Sequence, residues 1–294
     1  MSYDLYFTSP EISREQFRSY FSQRPRYQLN GDQAWYSNED TGVYFSFDYD
    51  DPDKSENDSD EEFPSCSVSF NLNFYRPHYF ALEAEPEVTA FVRNFRFEIH
   101  DPQNSGMAEG PYTSEGFFAG WNAGNAFGYR AVLSKDENPD AIHHRSTSEL
   151  EAFWRWNFSR DRIYESLGVD IFVPRIMFVV NEGALRSLVV WPDAIPTLIP
   201  EVDLLYVPRK ELAPKRFFKR TEDECILFRK DAEGILPPSS EDFPVRASRP
   251  GYETPPADVV NFVKKLAPCQ PAFEAIAMDS VLNSELIREA MEGG

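Results

Sequence analysis

Cysteine is nearly absent. Cys66, Cys225 and Cys269 are three in 294 residues, too few and too scattered for a disulfide framework or a zinc knuckle, and the scarcity fits a reducing compartment. Histidine is as sparse, with His78, His100 and the pair His143 and His144. Neighbouring histidines point apart in a strand or helix and no third ligand stands at metal spacing, so neither a metal nor another cofactor is expected. No charge-free apolar run reaches the roughly 18–20 residues of a membrane span, and the opening MSYDLYFTSPEISRE has neither the basic nor the apolar region of a secretory signal. The expectation is a cytoplasmic protein that does not engage membranes. Positive charge is also short: 29 Lys and Arg stand against 49 Asp and Glu, for a formal charge of -20. Residues 1–135 carry -12 of it and residues 136–294 carry -8. A field of that sign disfavours nucleic acid as the main partner and suits a basic protein. The nucleophile-elbow pattern Gly-x-Ser-x-Gly, the zinc-protease pattern His-Glu-x-x-His and a Gly-x-Gly-x-x-Gly after a strand are all missing. Two carboxylate pairs, Glu98 with Asp101 and Asp170 with Glu182, are catalytic candidates only if folding joins them.

Aromatic residues are plentiful. The chain has 25 Phe, 14 Tyr and 5 Trp, and since each ring buries roughly 150–250 Å², global disorder is excluded. The length is about twice the usual ~150-residue domain, so two domains or one large one are expected.

Tyr3 to Phe7 reads as a strand stopped by Thr8-Ser9-Pro10. Ser13-Arg14-Glu15-Gln16 is a capping box with Ile12 and Phe17 placed as a hydrophobic staple, opening a helix that stops near Pro25. Trp35-Tyr36 and Val43 to Tyr49 form a hairpin, with Gly42 available for a positive φ. Cys66, Val68, Phe70, Leu72 and Phe74 alternate with Ser67, Ser69, Asn71 and Asn73, a strand with one wet face. Pro86-Glu87-Val88 should open a helix bearing Val88, Phe91, Val92 and Phe95, and Phe97-Glu98-Ile99 a further strand. This order describes an α+β domain over residues 1–105, with a mainly antiparallel sheet and helices on one face.

Residues 106–147 form a Gly-containing connector or helix, in which Gly116, Gly120, Gly124 and Gly128 recur every four residues among aromatic side chains. A helix would present a glycine groove for close packing, whereas a loop could cradle an anion with backbone amides. With no upstream strand and no Lys-Ser/Thr tail, packing is favoured. Residues 148–294 form a second α+β domain. It starts with Ser148 as a cap and a helix from Glu149 to Leu167 ended by Gly168. A hairpin of Ile176–Val180 and Leu185–Trp191 follows, joined by the three-residue loop Asn181-Glu182-Gly183. Leu204–Val207 and Cys225–Phe228 add strands, and the apolar runs suggest a sheet covered on both faces. Helices from Pro256 to Leu266 and from about Phe273 to Met291 close the chain.

Two charge clusters stand out. The run from Asp48 to Glu62 holds nine carboxylates in fifteen residues: Asp48, Asp50, Asp51, Asp53, Glu56, Asp58, Asp60, Glu61 and Glu62. An EF-hand reading places Asp51, Asp53, Ser55, Asn57, Ser59 and Glu62 at ligand positions, but Glu56 stands where the sharp turn demands Gly, and strands flank the segment. A solubilising loop and a docking element for a basic protein surface are the remaining readings. Arg209, Lys210, Lys215, Arg216, Lys219 and Arg220 interleave with Phe217 and Phe218. That composition can serve RNA, but in an acidic chain an internal salt-bridged face is favoured.

Met1-Ser2-Tyr3-Asp4-Leu5-Tyr6-Phe7, with the capped helix and aromatic hairpin behind it, resembles the immunity factors of bacterial polymorphic toxin systems over about the first hundred residues. The resemblance implies a cytoplasmic, non-catalytic protein that neutralises a cognate toxin domain, commonly a basic one, by covering its active site. No motif with assigned binding residues is carried over, so the nine carboxylates are the expected partner-binding set on charge alone. The alternative is an enzyme or ligand-binding protein with a pocket between its halves, walled by the Gly116–Gly128 stretch.

Overall fold

The structure, a computed structural model, describes residues 1–50, 67–103, 105–135, 142–168, 170–216, 219–220, 222–269 and 273–292, without the side chains of 215–216 and 219–220. The fold is α+β. The chain divides into two compact units, Met1–Thr147 with Asp279–Gly294, and Ser148–Met278. The terminal segment thus belongs with the first unit, where the sequence groups it with residues 148–294.

Unit 1 runs β1 (Ser2–Ser9), α1 (Arg14–Ser22), β2 (Tyr27–Asn30), β3 (Gln33–Asn38), β4 (Val43–Tyr49), β5 (Val68–Asn73), α2 (Tyr79–Phe95), β6 (Glu98–His100), β7 (Glu109–Pro111), α3 (Ser114–Leu133) and β8 (His144–Arg145). Seven strands form one antiparallel sheet in the order β2-β3-β4-β5-β1-β6-β7. Period-two alternation sends Tyr3, Leu5 and Phe7 of β1 and Val68, Phe70 and Leu72 of β5 to one buried face. All three long helices pack there. Phe21 of α1 lies 5.0 Å from Phe47, Phe91 of α2 lies 5.1 Å from Phe7, and Phe117 of α3 lies 5.3 Å from Tyr3, ring centre to ring centre.

The capping box at Ser13 and Gln16 is present, and Gly42 takes φ +75° in the β3–β4 turn. Pro86, expected at a first helical turn, lies inside α2 instead. Tyr79, Phe80, Ala81 and Ala84 extend the apolar face upstream, and their burial outweighs the amide that proline lacks. Glu83 of α2 is buried with them, its carboxylate accepting from Tyr36 Oη at 2.7 Å and Asn38 Nδ2 at 2.6 Å.

The four-residue glycine repeat is helical. A Cβ on Gly120 would lie 2.8 Å from the Tyr3 ring, one on Gly124 2.1 Å from the Phe74 ring, and one on Gly128 3.2 Å from Phe74 Cβ. The groove is therefore filled by side chains of the same unit, as the packing reading expects.

Unit 2 holds α4 (Thr147–Phe158), α5 (Arg160–Leu167), β9 (Met177–Asn181), β10 (Ala184–Val190), β11 (Ile199–Pro200), β12 (Leu204–Arg209), β13 (Lys215–Arg216), β14 (Lys219–Arg220), β15 (Asp223–Phe228), β16 (Ser239–Ser240), β17 (Ala247–Ser248), α6 (Ala257–Lys265) and β18 (Phe273–Ile276). A five-stranded sheet has the order β15-β12-β10-β9-β18, with only β10 and β12 parallel. The single helix expected over 149–167 is two, because Ser159 turns its hydroxyl back onto the carbonyl of Arg155. The β9–β10 turn is two residues rather than three: Asn181 pairs with Ala184, and Glu182 and Gly183 both take positive φ, as a right-twisted hairpin requires. Only one face of this sheet is deeply covered. Phe178, Val189, Leu205, Val207 and Cys225 are buried there, while the other face leaves Met177, Tyr206, Ile226, Phe228 and Phe273 partly exposed around Val179, Leu188 and Leu204.

The expected final helix is resolved into β18, then β19 (Leu282–Asn283) and α7 (Ser284–Glu292). Residues 273–276 are strand because they complete the open edge of β9. In unit 1, Leu282 and Ile287 pack on Tyr129 and Leu133 of α3. Buried Asn283 accepts from the backbone N–H of His78, and Glu285 accepts from both N and Oγ1 of Thr147, at 2.9 and 2.8 Å.

Candidate functional site

Of the nine expected partner-binding carboxylates, Asp48 and Asp50 are described, and Asp51, Asp53, Glu56, Asp58, Asp60, Glu61 and Glu62 lie outside the described residues, as do the EF-hand reading and Cys66. Asp48 is half-buried on β4, its two oxygens accepting from Gln33 Nε2 at 2.7 Å and Ser46 Oγ at 2.8 Å. Asp50 lies just beyond the strand end, and its carboxyl is held above the ordinary carboxylate range, first by desolvation and then by the charges of Asp48 and Asp32.

Both acids belong to a larger surface. The sheet face of unit 1 opposite the helices is set by the same alternation that builds the core. Across it, in register, run Trp35, Ser46, Asn71 and Asp4, and beside them Gln33, Asp48, Ser69, Tyr6 and His100. Trp35 stacks on Tyr44 at 5.5 Å, and Asp4 is fixed by Asn71 Nδ2 at 2.5 Å and Ser2 Oγ at 3.0 Å. Unit 1 carries -17 of the formal charge and unit 2 carries -3. This face therefore combines oriented carboxylates, amides, hydroxyls and aromatic rings in the acidic unit.

Unit 2 contributes a second concavity, an open groove of about 890 Å³ lined by Tyr164, Phe172 and Ile195 with Asp161, Asp170 and Glu253 beside them. Its side chains are presented by the first five residues of α5, by the two chain segments bridged at Phe172 and Thr197, and by Glu253 and Thr254. The turn Pro192–Ala194 is strained: Asp193 and Ala194 take φ of +46° and +57°. The Asp193 carboxylate offsets that strain by accepting from the amides of Lys210, Glu211 and Leu212 at 2.9 to 3.1 Å. Nothing in the residue pattern pointed to this groove. The sole local signal is that Tyr164 falls beside the buried positions Ile163 and Leu167 of α5 rather than on them.

The remaining candidates fall at separate places in the fold. Arg209, the first residue of the basic cluster, is 1% exposed, forms a bidentate pair with Asp223 at 2.7 and 2.8 Å, and donates to the carbonyls of Val263 and Leu266 at the end of α6. Lys210 reaches Glu222 at 3.8 Å on the surface. The side chains from Lys215 to Arg220 are outside the description. Asp101 is buried, accepting from Tyr3 Oη at 2.8 Å and from the amides of Gln103 and Met107, so it closes its own loop, and Glu98 is on β6. Asp170 borders the unit 2 groove and Glu182 occupies the β9–β10 turn. Among the described residues no group of three or more His, Cys, Asp and Glu could hold a metal ion, and no helix is long and apolar enough to cross a membrane.

No family model matches the chain, and neither a curated protein nor a solved structure is significantly similar to it.

Proposed function

We propose that this protein is a non-catalytic, immunity-type binder that works in the cytoplasm by covering a cognate basic toxin domain. The observation that carries this reading is the half-buried sheet face of unit 1 opposite the helices, with Asp4, Asp48, Trp35 and Tyr6 held in register on a unit of charge -17. Clustered carboxylates accelerate encounter with a cationic surface, and rigid rings interspersed with Asn, Ser and Gln suit an adaptable protein interface. In sequence, eight further carboxylates from Asp50 to Glu62 fall between β4 and β5.

The test has two stages. The tagged full chain is used to capture partners from source-cell lysate after a moderate salt wash, and any stoichiometric basic protein is purified and assayed for toxicity with and without the chain added back. Neutralisation at one-to-one stoichiometry is expected. Asn and Gln in place of the nine acids should then slow association and flatten its salt dependence. A captured protein whose activity the chain leaves unchanged, or a clean monomer carrying a small ligand, would overturn the reading.

A further inference from the structure

Among the described residues, six large hydrophobic side chains are exposed: Met1, Phe127, Tyr164, Phe172, Ile195 and Met291. Three of them, Tyr164 at 49%, Phe172 at 37% and Ile195 at 38%, line the same groove of unit 2. Such convergence marks an interaction surface rather than the single scattered apolar residues of an ordinary exterior. Two of its apolar walls are anchored through the backbone. Ile195 is held outward by the strained turn before it, while its carbonyl accepts from Trp191 Nε1 at 3.2 Å and Thr197 Oγ1 at 2.9 Å. Phe172 is tied on both sides, its amide donating to Pro196 and its carbonyl accepting from Leu198, at 2.8 and 2.9 Å.

Charge decides what fits. Asp161, Asp170 and Glu253 are exposed beside the rings and form no salt bridge among the described residues. Arg160, the lone cation lining the groove among the described residues, donates through Nε to the carbonyl of Val173 at 3.2 Å. An anion would meet three carboxylates; a purely apolar ligand would leave them desolvated without partners. A planar cation satisfies both halves of the lining. Guanidinium offers bidentate donors to carboxylates, stacks on ring faces and loses its water cheaply, whereas ammonium is a compact and strongly hydrated charge.

We propose that this groove receives an arginine side chain of a protein partner, with Ile195 and Phe172 contacting the apolar residues that flank it. The site adds a second contact to the binding reading above, but it does not depend on the toxin: its test uses a defined peptide. The probe is the blocked tripeptide Leu-Arg-Leu, titrated into the isotopically labelled full chain and followed by amide and methyl chemical shifts. Saturable shifts at Phe172 and Ile195, with a Kd of about 1 mM or below, are expected. The same peptide with citrulline, which keeps the shape and loses the charge, should bind at least about tenfold more weakly, and lysine should also be weaker. Tyr164→Ala and the double variant Asp170→Asn, Glu253→Gln should each weaken the arginine peptide about tenfold with spectra otherwise folded. Replacement of the nine acids of residues 48–62 should leave this titration unchanged. Absence of saturable shifts, equal binding of the citrulline peptide, or equal binding by the groove variants would overturn the proposal. So would free arginine binding as tightly as the peptide, because the site would then serve a metabolite. Failure of partner neutralisation with success here would refute the toxin reading alone.

Discussion

Gly120 is where the packing of unit 1 is most exposed to test. Replacing it with alanine improves the intrinsic propensity of α3 by about 0.8–1 kcal/mol. Against this, the new Cβ would lie 2.8 to 3.1 Å from Cε2, Oη and Cζ of Tyr3. That ring is fully buried, and its hydroxyl donates to the buried Asp101 carboxylate at 2.8 Å. Overpacking costs about 1–3 kcal/mol, and if the ring yields by breaking the bond to Asp101, roughly 1.5–3 kcal/mol more is lost. With that bond broken, the net expectation for Gly120→Ala is a destabilisation of about 1.5–5 kcal/mol, or a fall of roughly 3–20 °C in the transition of a unit this size. Scanning calorimetry resolves the transition, with hydrogen exchange of the α3 amides assigning it to unit 1. A cycle with Tyr3→Phe isolates the cause: without its hydroxyl the ring can shift freely, so the penalty of Gly120→Ala should shrink in that background. An unchanged or higher transition temperature for the single variant would refute the close approach of α3 to β1.

Further predictions concern the other unit and the ionisable groups. Arg209→Met should lower the stability of unit 2 by roughly 3–5 kcal/mol, since it leaves Asp223 and the carbonyls ending α6 without their donor; a calorimetric transition unmoved from wild type would contradict this. Glu285 is held below the ordinary carboxylate range: desolvation opposes, but hydrogen bonds from Thr147 and Ser284 outweigh it. Its contribution is therefore present above the unfolded value of about 4.3 and lost as pH falls through the lower folded value. Urea midpoints between neutral and acid pH should show a shallower acid slope for Glu285→Gln than for wild type. Burial raises the Cys225 thiol to about 11, while Cys269 is exposed. In a Cys66→Ser background, iodoacetamide at mildly alkaline pH should add one adduct to the native protein, and rapid double labelling would refute the burial of Cys225.

Local chemistry carried much of the fold. The capping box at Ser13 needs only residues within one helical turn, and the alternation around Val68, Phe70 and Leu72 needs only a pleated strand with one dry face. Where neighbours in space outvoted neighbours in sequence, the reading failed. Pro86 is a sound signal for a helix start, yet the apolar residues from Tyr79 onward bury enough surface to carry the helix through it. Phe273 to Ile276 looks helical in isolation and is strand because β9 offered an unpaired edge. The excess of acids was legible in composition, as was the strand from Val43 to Tyr49 that carries Asp48, but not the sheet face that Asp48 shares with Asp4 and Trp35.

The sequence alone determined the α+β class and the negative charge and favoured a packed helix for the glycine repeat, because each follows from composition or from spacing along one element. Only the tertiary structure decided that the repeat is filled by Tyr3 and Phe74, that Arg209 is buried against Asp223 and the end of α6, and that Tyr164, Phe172 and Ile195 converge. Those outcomes join residues far apart in the chain, and the energy that selects them, burial of surface and satisfaction of charge, exists only once distant segments meet.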